Sequence, residues 1–149
     1  MDITDIKIIQ FLQKEGRGSW TALAKVLNIS STAVAERVHN LEKKGIIVGY
    51  KVIVDPKVLG CNVEAFVHVE IDQSIAHTTF VEKINQMEPV RECYNITGEG
   101  GYLLKVQCKD IGMLDELVSK TLKEIPEVTK TVTSIILSTL VKKESCPIF

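Results

Sequence analysis

Short polar and cationic side chains follow the turn at Asn28-Ile29, and their spacing places them on one face of a predicted helix. Hydroxyl and amide groups can hydrogen-bond base edges in the major groove of DNA, and cations can bind phosphates. A recognition helix presents such groups from its N-terminal end. The alternative is a solvated helix face with no nucleic-acid role. The candidate DNA-contacting residues are Ser31, Thr32, Ala35, Glu36, Arg37, His39, Asn40 and Lys43.

The charged and amide members of this set have separate expected roles. Arg37, His39 and Lys43 are predicted to meet phosphates, which position the helix without reading sequence. Asn40 can pair bidentately with adenine. Glu36 would repel phosphate, so we expect it to pair with Arg37 or with a neighbouring lysine.

The sequence predicts neither catalysis nor a bound metal. His39, His68 and His77 fall in separate predicted elements, and none makes a short-spaced pair with a cysteine. The sequence also lacks a phosphate-loop or dinucleotide-binding glycine motif. We therefore expect a protein that is not an enzyme and has no cofactor and no metal.

The length and charge of the chain limit the number of domains and the extent of a nucleic-acid-binding surface. The chain has 149 residues, of which 45% are hydrophobic and 25% charged, the balance of one or two small globular domains. Its 18 Lys and Arg nearly cancel 19 Asp and Glu, which excludes a basic coat over the whole chain but not a local basic face. Residues 1–55 hold 8 basic and 6 acidic side chains, and residues 56–149 hold 10 and 13. The charge therefore favours nucleic-acid binding by the first part only weakly.

The sequence gives no sign of export or membrane insertion. No apolar run is long enough to span a bilayer, and the first residues do not resemble a signal peptide. The widely spaced cysteines suit a reducing compartment, so we expect a cytoplasmic protein. If a hairpin turn pairs Thr97 with Tyr102, Cys93 and Cys108 lie almost opposite each other, and we expect reduced thiols there rather than a disulfide.

Helix start and stop signals divide residues 1–45 into three helices. Asp2 or Thr4 caps the first helix, and Ser19 and Ser30 cap the two that follow. A very short turn joins the last two, which predicts a helix-turn-helix, with a plain three-helix bundle as the alternative. The last two helices span residues 20–27 and 31–44, and the predicted inward positions are Ile6, Ile9, Leu12, Leu23, Ala24, Leu27, Val34, Val38 and Leu41.

The remaining chain alternates β-rich and helical patterns in the order β-α-β-β-α-β after a connecting strand at 46–54. This order predicts a ferredoxin-like sandwich, one antiparallel sheet with two helices on one face. The fold class is therefore α+β, an N-terminal helix-turn-helix domain joined by a strand linker to that sandwich. The predicted domains are the helix-turn-helix domain 1–45, the linker 46–60, the sandwich 61–142 and a tail 143–149. The predicted strands of the sandwich span residues 61–71, 90–97, 102–109 and 128–141. Its predicted helices span residues 74–87, with Phe80, Val81, Ile84 and Met87 inward, and 110–124.

The sheet face opposite the helices still alternates apolar residues and needs a cover. A second copy of the same sheet is the natural cover, which predicts a homodimer. The long last strand at 128–141 overruns its neighbours and is able to cross to a partner. The alternative cover is the linker strand of the same chain.

Several residues recur in an order and spacing typical of one family. They include Asp2-Ile-Thr-Asp5, Leu23-Ala24, Arg37-Val38, Gly49-Tyr50, Val54-Asp55-Pro56, Thr97-Gly98 and Pro126-Glu-Val128. With these, nearly the whole chain resembles the Lrp/AsnC (feast/famine) family of transcription regulators. The resemblance implies a sequence-specific DNA-binding regulator that assembles as a dimer and often as an octamer. An architectural protein that wraps DNA, and a small-molecule-binding sandwich without a DNA role, are the alternatives.

The resemblance also implies a small effector, commonly an amino acid, bound between dimers. Glycine N–H groups can take its carboxylate, although the same glycines suit a plain hairpin turn. Many relatives carry an acidic residue just before Tyr102, where this chain has Gly101. Three alternatives follow. Glu99 takes the role of that acidic residue, the ligand is a different one, or the protein binds no effector. The implied effector-binding residues are Gly98, Glu99, Gly100, Gly101, Tyr102, Thr131, Thr133 and Ser134.

Overall fold

The chain divides into two compact units. The computed structural model describes residues 1–72, 77–97, 101–143 and 145–147. The first unit is Met1–Ile53 with Leu140–Phe149, and the second is Val54–Thr139. Each unit has its own hydrophobic core. The boundary falls inside the predicted linker.

Three helices form the first unit. They are α1 Ile3–Glu15, α2 Trp20–Leu27 and α3 Ser31–Lys43. Each begins after a predicted capping residue, because a side-chain oxygen there accepts a hydrogen bond from a backbone N–H three residues later. Asp2 caps α1 in this way, and Ser19 and Ser30 cap α2 and α3.

The core of the first unit differs from the prediction at one position of α1. Ile8 is fully buried, whereas Ile6, which was predicted inward, is only partly buried. A constant spacing of three residues drifts around a helix, and Asp5, Ile8 and Leu12 share a face because they are spaced by three and four. The buried residues are Ile8, Leu23, Ala24, Val34, Val38 and Leu41, with Ile9, Phe11, Leu12, Leu27 and Ile29 packed against them.

The second unit is one antiparallel sheet with helices. Its elements are β1 Val63–Ile71, α4 His77–Asn85, β2 Val90–Asn95, β3 Tyr102–Cys108, α5 Ile111–Glu116, a π-helical turn Leu117–Thr121 and β4 Val128–Ile135. The strand order is β2-β3-β1-β4, and all three pairings are antiparallel. The predicted α+β fold with a β-α-β-β-α-β sandwich is therefore confirmed.

Alternation along the strands gives the sheet a covered face and an open face. Val67 and Val69 of β1 are fully buried and belong to one core cluster with Phe80 and Ile84 of α4.

Val81 of α4 was predicted to point inward but is 42% exposed, because it follows buried Phe80 and adjacent helix residues project about 100° apart. The predicted start of this helix at residue 74 lies outside the described residues.

One predicted strand is absent, and another is much shorter than predicted. The linker 46–60 contains no strand, and β4 ends at Ile135 rather than at residue 141. A strand requires a hydrogen-bonded neighbour, and the β-branched run at 46–54 has none in the described part of the chain. β4 ends where β1 begins, since Ile135 lies opposite Ala65 and the Ile136 N–H donates to the Glu64 carbonyl.

The register of the β2–β3 hairpin also differs from the prediction. Cys93 lies opposite Leu104, and Cys108 lies opposite Val63 on the other neighbouring strand. The two cysteines are therefore not opposite each other, because Tyr102 pairs with Asn95 and not with Thr97. All four cysteines are free thiols.

Candidate nucleic-acid interface and ligand site

One face of α3 is exposed along the helix, and the opposite face carries the core of the first unit. Val34, Val38 and Leu41 are buried at spacings of four and three residues. Because these three hold one face inward, the residues between them project to solvent. The exposed residues include seven of the eight predicted DNA contacts, namely Ser31, Thr32, Ala35, Glu36, His39, Asn40 and Lys43.

A tight turn ends α2 and begins α3. Asn28 adopts the left-handed conformation, with φ 54° and ψ 44°. The Ile29 N–H donates to the Ala24 carbonyl at 3.1 Å, and the Ser30 Oγ accepts from the Ala33 N–H at 3.1 Å. Three residues therefore join the two helices, the short connection of a helix-turn-helix.

Arg37, the eighth predicted contact, is half-buried and binds two carboxylates of α1. Its Nη1 donates to Asp2 Oδ2 at 2.7 Å and to Asp5 Oδ1 at 2.8 Å. Hydrogen bonds to Asp2 and Asp5 raise the pKa of Arg37, and the Asp5 N–H together with Arg37 lowers the pKa of Asp2. In the structure Arg37 therefore takes part in an ion pair within the first unit.

Glu36 was expected to neutralise Arg37 or a neighbouring lysine. The Arg37 bonds in the described structure go to α1 instead, and Glu36 is exposed beside a polar depression. The depression has a volume of about 440 Å³, and its charged lining of two carboxylates and two cations cancels formally. Its lining residues are Asp5, Ala33, Glu36, Arg37, Asn40, Leu41 and Lys44.

A contact that sequence reasoning missed ties the end of α3 to the segment after it. The Tyr50 hydroxyl donates to Glu42 Oε1 at 3.0 Å. Partial burial and the Glu42 carboxylate raise the pKa of Tyr50. Tyr50 lies in a motif quoted for the family resemblance, but its spacing from Glu42 does not indicate a hydrogen bond eight residues apart.

Gly101 is the position at which the family resemblance implies an acidic side chain. Its φ of +98° lies in the region that favours glycine. A Cβ here would overlap the carbonyl oxygen of Val69 on β1. The backbone therefore disfavours any side chain, including an acidic one, at this position. The other glycine-turn residues predicted for the ligand, Gly98, Glu99 and Gly100, lie outside the described residues.

Tyr102 belongs to the covered face of the sheet. It is only 4% exposed, and its ring centroid lies 4.7 Å from that of Phe80. Burial, and then Cys93, raise its pKa. Val69 lies opposite Tyr102 on one side and opposite Thr131 on the other. Tyr102 and Thr131 therefore share one row across the sheet, with one strand between them.

The predicted hydroxyl residues of β4 are divided between the two faces. Thr131 and Thr133 lie opposite Val69 and Val67 on the covered face, whereas Ser134 lies opposite Phe66. Because consecutive strand residues alternate, Ser134 projects from the other side of the sheet. A cavity of about 190 Å³ adjoins Thr133 and is lined by Ile111, Leu114, Asp115, Val118 and Thr133.

The open face of the sheet alternates apolar and paired polar side chains. Lys105 Nζ lies 3.5 Å from Glu92 Oε1, and Lys130 Nζ lies 3.0 Å from Glu70 Oε1. Tyr94 and Val132 are nearly half exposed, at 46% and 47%. Alternation places Phe66, Leu103, Tyr94 and Val132 on this face.

Comparison with known proteins bears on both units. Residues 1–48 match the winged helix-turn-helix DNA-binding model, and residues 64–146 match the Lrp/AsnC ligand binding domain. Transcriptional regulator AzlB of Bacillus subtilis is 34% identical, with 99% of this chain and 96% of that protein covered. The leucine-responsive regulatory protein of Haemophilus influenzae is 32% identical, with 92% and 84% covered.

A solved structure is similar over both units. It is transcriptional regulator NMB0573 of Neisseria meningitidis in complex with L-Met, with a TM-score of 0.94, 29% identity and coverage of 99% of this chain and 96% of that one. The fold and the exposed α3 define the class as a helix-turn-helix regulator with a ligand-binding sandwich. The chain belongs to the Lrp/AsnC family of transcriptional regulators.

The described residues contain neither a membrane-spanning helix nor a cluster of metal ligands. None of the helices among these residues is both long and apolar enough to cross a membrane. Within the same ranges, no group of three or more His, Cys, Asp or Glu side chains is arranged to hold a metal ion.

Proposed function

We propose that this transcriptional regulator reads specific DNA sequences with α3 and that a small effector, an amino acid, modulates its DNA binding or its assembly. The observation that carries the proposal is the exposed face of α3, which begins after a three-residue turn and lies opposite a buried face. Ser31, Thr32 and Ala35 lie in the first turns of the helix and are the residues that we assign to base edges. Asn40 is assigned to adenine, because its amide can pair with that base bidentately.

The phosphate contacts are assigned to the exposed cations of α3. His39 and Lys43 are exposed and lie on the same face as the base-reading residues. Each phosphate contact adds affinity that falls with salt but carries no sequence information. In this proposal the protein works in the cytoplasm, where its DNA lies, and it catalyses no reaction.

We further propose a homodimer in which the open faces of two sheets cover each other. The apolar side chains Phe66, Tyr94 and Val132 need a cover of the same character, and a two-fold axis supplies one from a single surface. Two helix-turn-helix heads in a dimer fit an approximately palindromic operator, with half-sites about one DNA turn apart or a multiple of it. Dimers then associate further, into an octamer.

The effector site is assigned to the edge of the covered face near Gly101. Thr131 shares a row with Tyr102, and Thr133 lines the adjoining cavity, so these hydroxyls are the supported candidates on β4. NMB0573 binds L-Met, which supports an amino acid as the ligand class. Because Gly101 carries no carboxylate, we assign the ligand amino group to Glu99 on sequence alone. The open-face position of Ser134 argues against its role.

DNA binding is tested with a duplex that the wild-type chain selects from a random pool. Fluorescence anisotropy should give a much lower Kd for this duplex than for its scrambled version. Asn40→Ala should cost about 1–3 kcal/mol of binding to the selected duplex, and the matched exposed control Lys123→Ala should cost nothing measurable. Equal affinity for both duplexes would instead support an architectural role, and no binding at low salt would remove DNA from the function.

The effector is tested by thermal unfolding with each amino acid in turn. A ligand at about a hundred times its Kd should stabilise the folded protein by about 2.7 kcal/mol. The same amino acid should change the DNA affinity or the oligomer mass, and Glu99→Gln should abolish both effects. If no amino acid shifts the unfolding temperature, the proposed ligand class is wrong.

A further inference from the structure

We propose that Asp2, Asp5 and Arg37 form a clamp that positions α3 for sequence recognition, and that Arg37 is a positioning residue rather than a phosphate contact. The inference rests on the proposed function, in which α3 reads DNA. The clamp joins the first turn of α1 to the middle of α3, which are 32 to 35 residues apart in the chain.

Each carboxylate of the clamp uses one oxygen for α1 and the other for Arg37. Asp2 Oδ1 accepts from the Asp5 N–H at 2.9 Å, and Asp5 Oδ2 accepts from the Asp2 N–H at 3.0 Å. The remaining oxygens, Asp2 Oδ2 and Asp5 Oδ1, both accept from Arg37 Nη1. The capping box that starts α1 is therefore also the receptor that holds α3.

The net negative charge of the clamp disfavours the binding of a phosphate to Arg37. Two carboxylates and one guanidinium sum to a formal charge of −1, and the charges of exposed Glu36 and Lys44 beside them cancel each other. A phosphate approaching Arg37 would meet net repulsion, whereas Lys43 on the same helix is exposed. The geometry thus separates a positioning cation from a phosphate-binding cation on one helix.

The burial of the clamp suits a positioning role. The Asp5 side chain is 16% exposed and lies on the face of α1 that carries Ile8 and Leu12, whereas Arg37 is 37% exposed at the edge of the buried face of α3. Loss of the ion pair would free α3 to shift on the apolar core. Base contacts depend on that position far more than phosphate contacts do, because their hydrogen bonds have to match individual base edges.

The test measures two quantities for each variant: the affinity ratio between the selected and the scrambled duplex, and the slope of log affinity against log salt. The clamp predicts that Arg37→Ala lowers the ratio about three- to tenfold and leaves the slope unchanged. Asp2→Asn with Asp5→Asn should lower the ratio equally, and adding Arg37→Ala to this pair should have little further effect. The ratio is the decisive readout, since removing acidic charge strengthens binding to both duplexes alike.

Lys43→Ala is the matched control. It should leave the ratio unchanged and make the slope less steep by about 0.9, the effect of one lost phosphate contact. Asp2→Asn alone is the control for misfolding. It removes the charge of Asp2 but keeps the helix cap, because asparagine caps a helix as well as aspartate does. If Arg37→Ala behaves like Lys43→Ala, the clamp is overturned. If the wild type shows no preference, or Asn40→Ala leaves the ratio unchanged, the proposed function itself fails.

Discussion

Substitution of Gly101 by alanine should destabilise the second unit much more than the matched substitution Gly45→Ala destabilises the first. Both glycines have positive φ, +98° at Gly101 and +68° at Gly45. They differ in their surroundings, because a Cβ at Gly45 meets open space, whereas a Cβ at Gly101 overlaps the Val69 carbonyl oxygen. The pair therefore separates the cost of a backbone conformation from the cost of an overlap.

The magnitudes follow from these two terms. An alanine in a left-handed conformation destabilises the folded state by about 1–2 kcal/mol. Alanine also makes the unfolded chain less flexible than glycine does, which stabilises the folded state by about 0.4–1 kcal/mol. Gly45→Ala should therefore lower the free energy of unfolding by about 1 kcal/mol. Overlap with a backbone atom, which cannot rotate away, adds about 1–3 kcal/mol at Gly101. The expected loss there is about 2–4 kcal/mol.

Urea unfolding can follow the two units separately. The chain has a single tryptophan, Trp20 in α2, so its fluorescence reports the first unit, and far-UV circular dichroism reports both. Protomer concentration has to be equal in all experiments, because assembly shifts apparent stability. If Gly101→Ala costs no more than Gly45→Ala, the close approach of Gly101 to Val69 is absent, and the argument against an acidic side chain at this position is refuted.

Three other outcomes are expected. Ile8→Ala should lower the free energy of unfolding of the first unit by about 3 kcal/mol, as for a fully buried aliphatic side chain, and a loss below about 1 kcal/mol in Trp20 fluorescence would contradict the core assignment. The backbone N–H of Glu127 and then Lys83 lower the pKa of Glu127, so its stabilisation is complete above the ordinary value of 4.5 and is lost as pH falls through the lowered value. Glu127→Gln should flatten this part of the stability curve, and an unchanged curve would exclude the ion pair. Thiol titration of the unfolded, non-reduced protein should find four free thiols, and two would reveal a disulfide.

Features set by neighbours along the chain were predictable from the sequence. Asp2, Ser19 and Ser30 cap their helices because a cap needs only the next three residues. The strand β1 was predictable from its period-2 pattern for a similar reason, since alternation of faces is a local property of a strand. The exposed face of α3 followed from the spacing of its buried residues.

Features set by distant partners were not predictable in this way. The run at 46–54 has the composition of a strand but finds no partner in the described residues, and composition alone cannot supply one. The ion pair of Arg37 was not predictable because its partners lie more than thirty residues away in the chain, where no spacing rule applies. The face assignment of Ser134 likewise required the register between β4 and β1.

Polar contacts hold α3 at three points, and each uses a residue outside the base-reading set. Ser30 caps its start, Arg37 joins its middle to α1, and Glu42 near its end accepts from Tyr50. A unit of this size buries little apolar surface, so such contacts weigh heavily in fixing a helix. Because Ser31, Thr32, Ala35 and Asn40 contribute neither to these contacts nor to the core, substitutions there can change the preferred operator without unfolding the helix that presents them.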